Sequence, residues 1–556
     1  MKLVTVSQMR ALEQRADASG NSYPTLMERA GVSSAQAIME RFAARDQQIL
    51  ALIGPGNNGG DGLVCARALR DAGARVGLYL WRRVPAPDDV NWAACMQRGI
   101  PYKRAEEDTA FAELRAALAQ TFILIDALLG VGIARPIEGA LRDLLQIVRA
   151  ARANSVSPSP SLRSFAPPPA RSASRPQPYT VAIDLPTGLD PDTGALDAAA
   201  LSADLTVTFA FPKIGQFAFP GADAVGELVV ADIGIPEAWA NEIDLTVATP
   251  NEMRALLPLR PRNANKGTFG KAMLACGSVH YTGAPVLAAR AASRVGAGLV
   301  TLTLPETLQP IIASKIDEAT FLPLPDRLGD WRPRAANELL AALWDAEYDA
   351  LLVGCGLGQS EGARGFLARL LENFNTLETP PTLILDADAL NFLAALSEEP
   401  RALTFDAPPI LTPHPGEMAR LRNTNVASIQ NDRVEVARDA ARQWNAIIVL
   451  KGAFTVIAAP DGRVTLLPFA NSALATAGTG DVLAGTIAGC AAQIHAAARR
   501  AEKLDALEIA YQAARLGAYL HALAGEFAAR DIGAAGVVAG DLAPRLPQAL
   551  ESLDAA

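Results

Sequence analysis

Short apolar runs rich in β-branched residues alternate along the whole chain with longer alanine-rich stretches of helical spacing. A strand buried on both faces reads as an unbroken apolar run, and a parallel neighbour needs a crossover, so this pattern predicts mostly parallel sheets covered by helices. In the first half the predicted strands are 48–53, 74–80, 122–126, 180–184 and 205–211. In the second they include 271–276, 299–302, 350–353, 382–386, 410–412 and 446–451. Nearly every one ends in a polar or glycine-rich motif, where ligands of open α/β sheets bind. The expected class is α/β.

Two discontinuities organise the chain. Residues 153–178, ANSVSPSPSLRSFAPPPARSASRPQP, carry too little apolar surface to offset the entropy of ordering them. Strand-like sequence on both sides, TFILIDALLGVG before and YTVAIDLPTG after, makes this an insertion within one domain rather than a linker. Around 240–265 the chain passes from one α/β pattern to another through proline-rich and basic sequence. The expected domains are 1–240 and 245–556.

Composition narrows the partners. The chain of 556 residues is 50% apolar, yet no uninterrupted apolar run reaches the roughly 18 residues of a membrane span. The first twenty residues lack a basic segment, an apolar block and a small-residue cleavage site, so the expected location is cytoplasmic. Five cysteines without a CxxC spacing suggest neither a zinc knuckle nor a disulfide framework, and read as small buried residues. A net charge of −9 disfavours nucleic acid and says little about small anions, which respond to local fields. Small molecules are the expected partners, with no membrane or nucleic acid, and the chain is expected to self-associate as a homo-oligomer.

The chemistry concentrates at strand ends. Asn471 to Gly485, NSALATAGTGDVLAG, puts a glycine-threonine-glycine turn and Asp481 at the mouth of an apolar helix. Backbone N–H groups from Ala477 to Asp481 can receive a phosphate there, beside a carboxylate that can serve as its base. Asp481 as a plain N-cap is the competing reading. After the strand 48–53 comes GPGNNGGDGLVCARAL, a strand, turn and helix that is neither GxGxxG nor a Walker loop. Its Asn57, Asn58 and Asp61 suit a sugar, an amide or a hard cation, or form only a tight turn. Asp126 and Asp184 end two further strands of the same half, and the three clusters can converge on one crevice, to bind a monovalent cation or relay a proton. Pro413 and Pro415 brace His414, and Lys451 ends an apolar strand, either reaching a phosphate or snorkelling to solvent.

GPGNNGGDGLVCARAL, DALLGVGIARPIEG, DLPTGLDPDTG and TFAFPKIGQFAFPG resemble, in that order, the NAD(P)H-hydrate epimerase or YjeF N-terminal domain, a Rossmann-like three-layer sandwich. The resemblance implies that Asn58, Asp126 and Thr187 hold a potassium ion. It implies that Asn57, Asn58, Gly59, Gly60 and Asp61, with Gly130, Val131, Gly132, Ile133, Ala134, Arg135, Pro136 and Asp184, contact the hydrated nicotinamide nucleotide, Asp184 doing the acid–base work. The family usually has serine where Thr187 stands.

From Asn265 onward, NKGTFGKAMLACGSVHYTGAP, GCGLG, LDADALN, LTPHPGEMARL, LKGAFTVIA and the GTGD turn resemble the NAD(P)H-hydrate dehydratase, which has a ribokinase-like fold. That resemblance assigns Gly356, His414, Pro415, Gly416, Glu417, Met418, Ala419, Arg420 and Asp481 to the hydrated dinucleotide. It assigns ADP to Lys451, Gly452, Ala453, Phe454, Thr455, Asn471, Ser472, Ala473, Leu474, Ala475, Thr476, Ala477, Gly478, Thr479 and Gly480, with Asp481 as catalytic base and Mg2+ beside the phosphates. Ala470, Asn471, Ser472 and Ala473 replace the family's GNPG-like run, and Ala477 adjoins Gly478, where alanine resists positive φ. Together the halves resemble the bifunctional NAD(P)H-hydrate repair enzymes, which imply an isomerase and a lyase in one chain. The alternative is a ribokinase-like kinase of a small alcohol fused to a non-catalytic nucleotide-binding module.

Overall fold

The structure is a computed structural model and describes residues 1–84, 86, 88–131, 136–152, 178–396, 405–503 and 505–555. The chain divides into two compact units, Met1–Ile243 and Asp244–Ala556.

The first unit is built on a seven-stranded sheet: β1 (Gln48–Ile53), β2 (Arg75–Leu80), β3 (Tyr102–Arg104), β4 (Ile123–Ala127), β5 (Tyr179–Ile183), β6 (Leu205–Phe209) and β7 (Glu227–Ala231). The order is β3-β2-β1-β4-β5-β6-β7, with every neighbouring pair parallel. Alternate residues of β1 feed two cores. Ile49, Ala51 and Ile53 pack with the helices Tyr23–Arg41 and Asn57–Asp71, while Leu50 and Leu52 pack with Gly139–Arg152 on the other face. Burial on both faces is the reason for its continuous apolar run. β4 and β5, which flank residues 153–178, pair directly in register, Ile123 opposite Tyr179.

The second unit carries ten strands: β8 (Leu245–Val247), β9 (Lys271–Ala275), β10 (Leu299–Pro305), β11 (Thr320–Leu324), β12 (Ala350–Val353), β13 (Thr382–Leu385), β14 (Ile410–Leu411), β15 (Ile447–Leu450), β16 (Val456–Ala458) and β17 (Val464–Leu466). Their order is β11-β10-β9-β12-β13-β14-β15-β16-β17-β8, antiparallel only at β15/β16 and β16/β17. The helices Thr479–Arg500 and Ala506–Ile532 pack with Gly283–Arg294 into the apolar core of this unit.

Six strands are missing from the hydropathy reading, and their positions explain why. β3, β7, β8 and β11 are the edge strands of the two sheets, so none is covered like a central strand; β3 reads Tyr-Lys-Arg and β11 contains Pro323. β16 and β17 are three-residue partners in an antiparallel meander. Among the described residues, no helix is long and apolar enough to cross a membrane.

Candidate active sites

In the first sheet the strand order reverses between β1 and β4, and the loops leaving these strands border the crevice where such sheets take ligands. Gly54 donates its N–H to Ala127 O at 3.0 Å, and a Cβ on it would lie 1.8 Å from Leu128 O, so only glycine lets the two loops meet. Beyond it the helix Asn57–Asp71 begins. Asn58 donates Nδ2–H to Leu129 O at 2.9 Å, leaving its buried Oδ1 without a hydrogen-bond partner. Asp126 is fully buried and accepts the Thr187 hydroxyl (2.7 Å) and backbone N–H (2.8 Å), while Leu129 N–H donates to Thr187 Oγ1 at 3.2 Å. Burial pushes the Asp126 carboxyl up against the pull of those hydrogen bonds. A buried carboxylate, a hydroxyl and an amide oxygen lacking a donor form a donor set for a hard cation.

Asp184 follows β5 in a left-handed conformation, φ +64°. Its Oδ1 accepts from Lys213 Nζ at 2.6 Å and from Thr208 Oγ1 at 2.9 Å, and Gln216 donates Nε2–H to its carbonyl at 3.0 Å. Lys213 is 1% exposed, so this ion pair is withdrawn from water. Two further carboxyls share the field: burial first, then the Asp184 charge, raises Asp61 well above the usual range, and burial raises Glu13 against the pull of Lys213. One ammonium therefore faces three acidic groups. Neither Lys213 nor Glu13 was singled out from sequence. A lysine inside the apolar run FAFPKIGQFAF was the available signal for the first; nothing local marks Glu13 on its surface-like helix.

Gly59 and Gly60 are buried in the opening turn of their helix beside Asn57, Gly130 lies against Asn58, and Val131 packs with Leu185 and Leu189. Pro136 is exposed. Gly132, Ile133, Ala134 and Arg135 lie outside the described residues, as do residues 153–177 of the insertion.

In the second unit the strand ends of β12, β13, β14 and β15 deliver Cys355, Asp386, His414 and Lys451 to one end of the sheet. Lys451 Nζ lies 2.9 Å from Asp386 Oδ1 and 3.5 Å from Glu417 Oε2. Asp386 Oδ1 also accepts the Thr412 hydroxyl at 2.6 Å. Gly478 takes φ +89° and passes the chain into the helix Thr479–Arg500, whose first turn carries Asp481. Thr479 Oγ1 donates to Leu474 O (2.9 Å) and Thr476 O (2.8 Å), holding the turn closed. Burial, then the Asp386 charge, pushes the Asp481 carboxyl up to about 6, against the opposing Cys355 hydrogen bond and Lys451 charge. Ala477 is exposed and is not among the residues of positive φ, so alanine there meets no backbone strain.

A cavity of about 460 Å³ opens beside this group, lined by Lys451, Gly452, Ala453, Thr455, Asn471, Leu474, Ala475, Thr476, Thr479 and Gly480 among the expected ADP residues. Phe454, Ser472, Ala473, Ala477 and Gly478 do not line it: Phe454 and Ala473 point into the protein, and Ser472 and Ala477 point to solvent. Its apolar wall comes from Leu467, Phe469, Leu483, Ala518 and Ala522, with His521; of these only Leu483 falls in a motif singled out from sequence.

The segment from His414 divides by position. His414 Nδ1 accepts from the N–H groups of Gly416 (3.0 Å) and Glu417 (3.3 Å), and Glu417 Oε2 accepts His414 N–H at 2.8 Å. His414 is thus a helix cap, its imidazole lowered below its usual range by burial and by the Lys451 charge. His414 and Pro415 line the cavity, whereas Met418 and Ala419 are buried and Arg420 turns away to Asn391 Oδ1 at 3.0 Å. Gly356 follows β12 with φ +65°, packed against Tyr281.

Comparison with known proteins defines the class. Residues 24–215 match the family model of the YjeF-related protein N-terminus, and residues 272–548 match that of NAD(P)H-hydrate dehydratase. Over its whole length the chain is 38% identical to the bifunctional NAD(P)H-hydrate repair enzyme of Moorella thermoacetica, covering 97% of that protein. It is 34% identical to that of Thermofilum pendens, again over 100% of this chain and 97% of the relative. The chain belongs to the bifunctional NAD(P)H-hydrate repair enzymes. Among solved structures, the ADP/ATP-dependent NAD(P)H-hydrate dehydratase of Bacillus subtilis, co-crystallised with ATP and Mg2+, is 32% identical, covers 56% of this chain and 99% of its own, and superposes with a TM-score of 0.46.

Proposed function

We propose that the chain restores hydrated NADH and NADPH, the first unit interconverting the R and S epimers and the second dehydrating the S epimer at the expense of ADP, giving AMP and phosphate. The observation that carries this reading is the grouping, beside one cavity, of the Gly478–Asp481 turn, the Lys451 ammonium and a carboxyl raised to about 6. A base of that strength is ionised at neutral pH yet holds a proton firmly enough to take one in the transition state.

Asp481 removes the proton of the substrate hydroxyl, whose oxygen attacks the β-phosphorus of ADP and expels AMP. The hydroxyl, a poor leaving group, has become a phosphate ester. The ring nitrogen then pushes out phosphate, and loss of a ring C–H proton restores the double bond. Lys451 and the N–H groups of the helix start bind the phosphates, and the Leu467, Phe469 and Ala518 wall excludes water from one side. Mg2+ would neutralise charge on the transferred phosphoryl group, with Asp386 and Glu417 as the hard donors at hand.

In the first unit Asp184, oriented by Lys213, Thr208 and Gln216, is the residue that exchanges a proton with the hydrated carbon's substituents, and Asn58, Asp126 and Thr187 would hold K+, which supplies fixed positive charge for the nucleotide phosphates. The test is recovery of reduced-nicotinamide absorbance from a mixed-epimer hydrate, with ADP or ATP. Wild type recovers all of it, Asp184→Asn stops once the S epimer is consumed, and Asp481→Asn recovers none on the time scale of the wild-type reaction. No recovery by wild type with either nucleotide would overturn the proposal.

A further inference from the structure

The base of the second site contains two thiols that the reaction above does not use. β9 and β12 are parallel neighbours with Ala275 opposite Val353, so Cys276 and Cys355 leave the sheet side by side. Gly277 N–H donates to Cys355 O at 2.9 Å, which ties the two strand ends together. The Cys355 Sγ lies 3.5 Å from Asp386 Oδ2. One ligand atom each from Cys355, Asp386 and Asp481 falls within 4.8 Å of the others.

Charge and access favour a cation at this point. Asp386, Glu417 and Asp481 are three acidic groups around the Lys451 ammonium. Lys451 and Thr412 occupy Asp386 Oδ1, leaving Oδ2 facing the thiol. Lys451 and Gly480 also line the cavity, which gives an ion its route to the partly exposed Asp481. A tetrahedral site with metal–sulfur bonds of about 2.3 Å and metal–oxygen bonds of about 2.1 Å separates its donors by ~3.6 Å, close to the 3.5 Å between Cys355 Sγ and Asp386 Oδ2. Sulfur in the donor set selects zinc, cadmium or cobalt over magnesium.

We propose that Cys355, Asp386 and Asp481 capture a thiophilic divalent cation of the zinc class, and that capture silences the second unit by occupying Asp481. The Cys355 S–H bond breaks as the metal–sulfur bond forms, the proton passes to solvent, and no electron changes hands. The silencing, unlike the binding, rests on Asp481 being the base of the dehydration.

Metal-free full-length protein titrated with Co2+ tests the binding directly. A thiolate-to-cobalt charge-transfer band is expected at stoichiometric metal, reversed by Zn2+. It is kept in Cys490→Ser, whose thiol is buried elsewhere on Thr479–Arg500, and lost in Cys355→Ala with a fall in affinity beyond the ~10–100-fold that removing a mere supporting partner costs. Should alanine not fold, Cys355→Ser keeps the volume and removes the sulfur. No band in folded wild type, or a full band without Cys355, overturns the site. Stoichiometric Zn2+ should then stop dehydration, reversibly with a chelator, while epimerisation continues. A cobalt band with undiminished dehydration overturns the silencing, and the Asp481→Asn assay separately shows whether the base assignment has failed.

Discussion

The two units place the same device at the carboxyl ends of their sheets and use it differently. In the first, Lys213 meets Asp184 at 2.6 Å with Asp61 and Glu13 held toward their neutral forms; in the second, Lys451 meets Asp386 at 2.9 Å with Asp481 and Glu417 raised. Each lysine thus faces one close aspartate and two carboxyls disfavoured as ions. In the first unit the lysine's partner is the carboxylate assigned to the chemistry. In the second the partner is a neighbour, and the carboxylate assigned to the chemistry stands apart from the closest ion pair, with its proton affinity moved to the neutral range. A reactive carboxylate can therefore be oriented by a lysine, as Asp184 is, or made more basic by burial and a neighbouring carboxylate, as Asp481 is.

The largest effect that would break this comparison is on rate. Asp481→Asn in the full-length chain should lower dehydration by ~10²–10⁴-fold and leave epimerisation intact, as read by loss of the R and S hydrates resolved chromatographically. Equal loss of both activities would mean that the sites are not separable.

Next in size is the stability difference between the lysines. Lys213 is 1% exposed at its side chain and Lys451 17%, so Lys213→Met should strand a buried carboxylate at a cost of about 3–5 kcal/mol, and Lys451→Met should cost less. Thermal or denaturant melts of each variant give the order, and Lys451→Met should also weaken ADP binding. The reverse order would show that the first pair is better solvated than its burial indicates.

A smaller effect follows from pH. Asp481 rises from its ordinary 3.8 to about 6, so dehydration at subsaturating substrate should fall roughly tenfold per unit below pH 6 as the base protonates. For stability the sign is opposite to that of a salt-bridged aspartate. The folded state binds this proton more tightly than the unfolded state, so ionising it costs stability, absent below about pH 4 and fully incurred above about pH 6. Asp481→Asn should accordingly melt higher than wild type at neutral pH and level with it in acid. The smallest effect is at Ala477, whose backbone needs no positive φ: Ala477→Gly should leave ADP affinity unchanged and lower stability by at most about 1 kcal/mol.

The alternation of apolar runs and alanine-rich stretches was enough to place the central strands, because burial on both faces leaves an unbroken hydrophobic signature in β1, β4, β12, β13 and β15. Motif chemistry likewise located Asp126, Asp184, Lys451 and the Gly478–Asp481 turn, since each sits where a strand or helix ends and local composition changes. Edge strands escaped that logic. The partners of the site residues escaped it too: Lys213 reaches Asp184 across 29 residues, Asp386 reaches Lys451 across 65, and Ala518 and His521 enter the cavity from a helix remote in sequence. Local sequence determines where the backbone must turn, which groups stand at the turn and which residue can take a positive φ. Only the packed sheet decides which distant carboxylate shares a lysine, and hence which one is left to carry a proton, because that choice depends on distance and burial rather than on the order of residues.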